Sequence, residues 1–160
     1  MAKGKSSSSE LPDQIVTVEI EGQDFTLRLN DFGMRMKIDP VNLEDELREQ
    51  SGFYFWVARL STVAGVDAER RKQELDLFLA ERTDEIRDEL EGAGKKVPGV
   101  EAISAKAKTE REYVDRLDAY LDAKQNAGLM NEARMAAQMR SYMILALARG
   151  QQQEHAGAEE

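Results

Sequence analysis

The sequence predicts a mainly α-helical protein: a long helical hairpin or coiled-coil-like bundle behind a small N-terminal β-hairpin, built to oligomerise. Three observations lead there. Apolar side chains recur at three/four spacing through most of residues 39–150. The chain has three prolines in 160 residues, and none lies between Glu110 and Arg149. Strand-like alternation is confined to one short stretch near the N-terminus.

The elements follow in chain order. Residues 1–13 begin MAKGKSSSSE, lack apolar periodicity and are expected to form a disordered tail; they carry no apolar core of a signal peptide. Segment 14–38 holds the β-hairpin. Val16, Val18 and Ile20 share one face, Phe25, Leu27 and Leu29 answer them, and Gly22 lies at the turn. A lone two-stranded hairpin is marginal in water, so this one must pack on something. Asn30-Asp31-Phe32-Gly33 breaks the alternation.

The helical domain, 39–150, opens at Asp39-Pro40, where Asp caps and Pro loses nothing by lacking an N–H. Leu43, Leu47, Tyr54, Val57 and Ala64 make the first stripe, and Gly65 marks an end or a kink. A second, highly charged helix runs from about Asp67 to Leu90 with Leu75, Leu79, Ile86 and Leu90 on one face. Gly92 to Gly99 is a break. Helical pattern resumes at Val100, and Thr109-Glu110-Arg111-Glu112 has capping-box spacing, so Thr109 either starts a helix or sits inside one. Leu117, Leu121, Gly128, Met135, Met139, Tyr142 and Ala146 then keep one stripe, a candidate core or oligomer seam. From Glu110 to Arg149 such a helix is about 60 Å long. A compact domain of this size is about 30 to 35 Å across. The helix must therefore fold back on a partner segment or assemble with other chains, and oligomerisation is the expected outcome. Residues 151–160, QQQEHAGAEE, are expected to be a disordered acidic tail.

Composition excludes much chemistry. There is no cysteine and a single histidine, His155, in the tail, so thiol catalysis, Cys-ligated metals and multi-histidine sites are removed. Neither a calcium loop nor a Glu-x-x-His di-iron motif is present. No catalytic residue, metal site or cofactor is expected, and the protein is read as no enzyme. The longest apolar runs, Phe53–Ala58 and Met143–Ala148, are six residues each. A bilayer span needs about 20, so a soluble, cytoplasmic protein without membrane contact is expected.

Several features invite a sharper reading. Glu91–Lys96 superficially resembles the end of a phosphate-binding loop. That loop would need Gly at Glu89 and Ser or Thr at Lys96, after a strand, so an interhelical turn is the better reading. Phe53, Tyr54, Phe55 and Trp56 sweep about 300° of a helix and cannot all face one seam. At least one is therefore exposed, at an interface or free to stack on bases. Met130, Met135, Met139 and Met143 form a methionine-rich face suited to adaptable contacts. The formal charge is −9, from 31 acidic and 22 basic side chains, yet Arg70, Arg71 and Lys72 cluster, and Lys95, Lys96, Lys106 and Lys108 surround the later turn. Local positive charge is what phosphate contacts need, although solvated helix faces are the plainer explanation.

From Leu43 to Ala148 the arrangement resembles phage recombination mediators of the UvsY type. The likeness lies in the Phe53–Trp56 patch, the charged second helix ERRKQELDLFLAERTDEI, the run KVPGVEAISAKAKTEREYVDRLDAYLDAK and the final helix NEARMAAQMRSYMILAL. Family members combine a lysine and a Thr-Glu or Pro-led helix start with a Tyr about a dozen residues later, and end in an Ala/Arg/Met/Leu-rich helix; Lys96, Pro98, Ile103 and Tyr113 stand at such places, as do Ala133, Ala137, Arg140, Met143 and Leu147. The family's Lys-Ala-Arg-Leu element is absent; the nearest basic residues are Arg70, Arg71, Lys72 and Arg82. The resemblance implies a homo-oligomer that binds single-stranded DNA and helps a recombinase displace single-strand-binding protein, in a phage-infected or prophage-carrying bacterium. Arg70, Arg71, Lys72, Arg82, Lys95, Lys96, Lys106 and Lys108 would then contact DNA. The alternatives are a structural or scaffolding helical protein of a phage-like particle that binds no DNA, or an adaptor presenting its acidic surface to a basic partner.

Overall fold

The structure, a computed structural model, describes residues 15–20 and 23–157. Strands β1 (Ile15–Ile20) and β2 (Gln23–Arg28) pair antiparallel, with Val16 opposite Leu27 and Val18 opposite Phe25. Val16, Val18 and Leu27 are buried on one face, as the alternation predicts. The expected Gly22 turn and the N-terminal tail lie outside the described residues. The stretch expected to break the pattern is instead a short helix, α1 (Leu29–Arg35), whose Phe32 is buried. That ring stacks on Phe53 at 5.8 Å, so tertiary burial holds a segment whose local sequence looks like a turn.

Two very long helices carry the molecule. α2 is Leu43–Gly92 and α4 is Arg111–Gly157, about 75 Å and 70 Å at 1.5 Å per residue. They pack on each other antiparallel: Gln50 meets Ala137 and Ser141, while Arg82 meets Glu110. The long helix thus folds back within its own chain. α2 starts at Leu43 with Asn42 as the flanking residue, not at Asp39. Asp39 instead accepts from Val41 N–H and Asn42 Nδ2, both at 2.9 Å, and so shapes the turn before the helix. Glu44, Asp45 and Glu46 fill the first turn, where acidic groups suit the helix dipole. Gly65 neither ends nor interrupts α2; packing against α4 and β1 carries the helix through it.

α2 ends where expected. Gly94 takes a positive φ of 64°, Lys95 N–H bonds Leu90 O at 3.0 Å and Gly94 N–H bonds Glu91 O at 2.9 Å. This is a left-handed glycine cap that satisfies the last carbonyls, so Glu91–Lys96 is an interhelical turn. After Pro98, α3 (Val100–Ala107) lays Ile103 and Ala107 against Ile86. Thr109 Oγ1 donates to Lys106 O at 2.7 Å, which places Thr109 at the end of α3 and not at the start of α4. α4 then continues to Gly157, through most of the tail expected to be disordered.

The hairpin sits over α2 and α4 and closes the main core, built from Val16, Val18, Leu27, Phe32, Val57, Leu60, Ala64, Met130, Ala133 and Ala137. The coiled-coil expectation is corrected by the register. Among the buried positions of α2, Leu43, Gln50, Val57 and Ala64 stand seven apart, whereas Ala64, Leu75 and Ile86 stand eleven apart, with Leu60, Ala68 and Thr83 buried between them. A continued heptad would bury Glu85, which is exposed. An eleven-residue repeat follows the straight helix closely, so no sustained left-handed supercoil is imposed.

Candidate functional site

The two expected basic clusters lie far apart, and their arginines are paired with carboxylates of the same chain. Arg70 and Arg71 both reach Asp67, at 2.6 and 3.0 Å. Burial pulls the Asp67 carboxyl upward, but hydrogen bonds from Arg71 and Arg70 outweigh it and hold it below its ordinary range. Arg82 binds Glu110 at 2.8 Å, Glu85 at 2.9 Å and Glu89 at 3.1 Å. These three carboxylates raise the affinity of Arg82 for its proton, and Arg82 lowers Glu110 in return. Lys72 is an exposed residue beside Arg71, whereas Lys95, Lys96, Lys106 and Lys108 are exposed at the turn end. Twenty helical residues separate Lys72 from Gly92, about 30 Å. The cations therefore form no single surface.

The aromatic patch is mostly structural. Phe53 stacks on Phe32 and lies 6.4 Å from Trp56, and Arg35 sits 6.0 Å over the Trp56 ring. Tyr54 is half-buried against the core. Phe55 alone of the four points out, 70% exposed.

Two clefts flank the main core. One of about 660 Å³ lies between the hairpin and the two long helices, bordered by Thr17, Val63, Asp67, Arg71, Asp122 and Asn126. The other lies beside a buried polar knot that the sequence did not single out. Arg140, 7% exposed, donates to the Gln50 side-chain oxygen, to Glu46 and to Lys37 O. Gln50 Nε2 in turn donates to Ala137 O at 2.8 Å and Ser141 Oγ at 2.7 Å. Glu46 also accepts the Asp39 N–H at 2.9 Å. That bond, then Arg140, holds its carboxyl below the ordinary range against the cost of burial. The available signal was register: Gln50 stands seven residues from both Leu43 and Val57, inside the buried stripe.

One face of α4 exposes a run of large apolar side chains. At 100° per residue, Met130, Ala133, Ala137, Arg140 and Ile144 gather on the side packed on α2. Met135, Met139, Tyr142 and Met143 fall on the opposite side, each more than half exposed. The stripe read as core or seam is this outward face: Leu121 is also exposed and Leu117 half-buried. Core packing at these positions is therefore corrected, since the intramolecular seam uses the alanine-rich side. Among the described residues no group of His, Cys, Asp or Glu could hold a metal ion, and no helix is long and apolar enough to cross a membrane.

No family model, curated protein or solved structure matches the chain. The DNA-binding, recombination and phage readings are accordingly corrected. They rested on the resemblance and on two cationic clusters, whose arginines the structure ties to carboxylates of the same chain.

Proposed function

We propose that the protein is a non-enzymatic helical scaffold that associates with copies of itself through the outward face of α4. The single observation behind this reading is that face. A helix already packed on α2 carries a second apolar side, opposite the first, with Met135, Met139, Tyr142 and Met143 each more than half exposed. Contiguous exposed apolar surface of this kind marks interaction sites in folded proteins. Methionines and tyrosine suit it, the first by adapting to a partner's shape and the second by giving broad contact area at small entropic cost. Among the described residues, the ion pairs Arg82–Glu110 and Arg140–Glu46 tie the protein's own helical segments together.

The test is sedimentation equilibrium of the intact chain beside Met139→Glu. The wild type associates at micromolar concentration, and the variant, altered at a site exposed in the single chain, dissociates at least tenfold more readily while keeping its helical circular dichroism. A wild type that stays monomeric at 100-fold higher concentration sinks the proposal.

A further inference from the structure

The cleft beside the Arg140 knot encloses about 590 Å³, within the size range of small-molecule sites. It lies where α1, the segment after it, the first turns of α2 and Arg140 of α4 come together. Met34, Phe53 and Trp56 form an apolar wall, with Met34 exposed and both rings half-buried. Next to them Gly52 contributes no side chain, and the space where its Cβ would stand is open. Glycine weakens a helix interior, and what it leaves here is room.

The lining is cationic in a chain of net charge −9. Arg35, Lys37 and Arg140 border the cleft with Glu46 and Glu49, three cations against two carboxylates, a balance of +1. Arg140 and Glu46 bind each other, so Arg35 and Lys37 are opposed by Glu49 alone. Neither Arg35 nor Lys37 forms an ion pair among the described residues. Arg35 lies 6.0 Å over the Trp56 ring, and Lys37 O accepts from Arg140 at 3.1 Å, which fixes the backbone that carries Lys37. Arg140 gives a second, independent sign. It is 7% exposed, and its Nε has no hydrogen-bond partner. Nearly every buried donor in a folded protein is satisfied, so an unused one on a residue bordering a cleft points to an acceptor from outside the chain.

We propose that this cleft binds a small aromatic carboxylate, its ring against Met34, Phe53 and Trp56 and its charge toward Arg35 and Lys37. A planar carboxylate matches the forked N–H donors of a guanidinium. A single negative charge also matches a lining whose balance is +1, whereas a dianion exceeds that balance and is repelled by Glu49. Arg140 belongs to the α2 side of α4, opposite Met139, so this site is independent of the self-association proposed above.

Trp56 is the one tryptophan of the chain, so its fluorescence reports on this cleft. Benzoate, its neutral counterpart benzamide and phenyl phosphate are titrated against the intact protein, and retention of each is measured in parallel by equilibrium dialysis. Benzoate binds saturably, about tenfold more tightly than benzamide, and more tightly than phenyl phosphate. Lys37→Gln weakens benzoate and Glu49→Gln strengthens it, both residues being exposed and outside the core. Gly52→Leu fills the cleft and abolishes binding while helical circular dichroism is kept. Equal affinities for benzoate and benzamide, or Lys37 and Glu49 variants that shift affinity in the same direction, reduce the cleft to an unselective apolar surface and overturn the proposal. Tighter binding of phenyl phosphate overturns the choice of a carboxylate. No saturable change in emission together with no retention of benzoate removes the site.

Discussion

Arg140 shows how one side chain ties three parts of the chain together. Its guanidinium lies between α2 and α4 and holds the backbone just before α2 through Lys37 O. Its Nε has no partner, so even this knot leaves one donor unused. Removing one member of a buried pair is far worse than removing both, because the survivor keeps its desolvation cost. Arg140→Met alone is expected to cost about 3 kcal/mol. Combined with Glu46→Leu, much of that loss is recovered. Urea denaturation of both single variants and the double one gives the cycle, and a double variant that loses the sum of the singles would remove the coupling. The same groups set the acid response. Glu46, Asp67 and Glu110 all have folded pKa values below their ordinary ones. Each contributes stability that is fully present above the unfolded pKa and is lost as pH falls through the folded value. Thermal unfolding followed by circular dichroism should therefore be nearly flat from about pH 7 to 5 and decline below about pH 4.

At the scale of elements, the strands, the break at Gly92 to Gly99 and the helical nature of residues 43–92 were legible because each has a local cause. Alternation, glycine with proline and apolar periodicity are all written in neighbouring residues. The seam of α4 was not. Its packed side is built from Ala123, Ala133 and Ala137 with Met130 and Ile144, and alanines do not stand out in a hydrophobic pattern. The larger Leu and Met side chains drew the stripe to the opposite side. Arg140 and Gln50 were hidden for the same reason, as polar groups at buried register positions whose partners are about 90 residues away. Gly65 misled because glycine weakens a helix without forbidding it. Two glycines separate these cases. Gly65 is helical with open space at its Cβ position, so Gly65→Ala should stabilise the fold by about 0.5–1 kcal/mol. Gly94 has φ of 64°, so Gly94→Ala should destabilise it by about 1 kcal/mol despite equal room. Chemical denaturation of the two variants reads both signs, and two changes of the same sign would contradict the helix path at one of them.

The whole molecule is a rod with a core toward either end. The hairpin end buries Val16, Val57, Leu60, Met130 and Ala137, and the turn end buries Ile86, Ile103 and Ala107 with Leu79, Leu90 and Val97 around them. Ala64 and Ile86 stand about 33 Å apart along α2. Few contacts link the two ends except through the helices, and stability in such a molecule need not be uniform. Ile103 is 2% exposed and supplies most of what α3 buries, so Ile103→Ala should cost about 2–4 kcal/mol locally. Hydrogen exchange then distinguishes a single cooperative unit from two. If the ends are separate units, the variant raises exchange in Val100–Ala107, in the last turns of α2 and in the first turns of α4. Protection around Val57–Ala64 and Met130–Ala137 is unchanged, because Val16, Val18 and Leu27 still cover that part of the seam. A uniform rise along both long helices would mean that the rod unfolds as one, with the paired helices transmitting the loss from the turn to the hairpin.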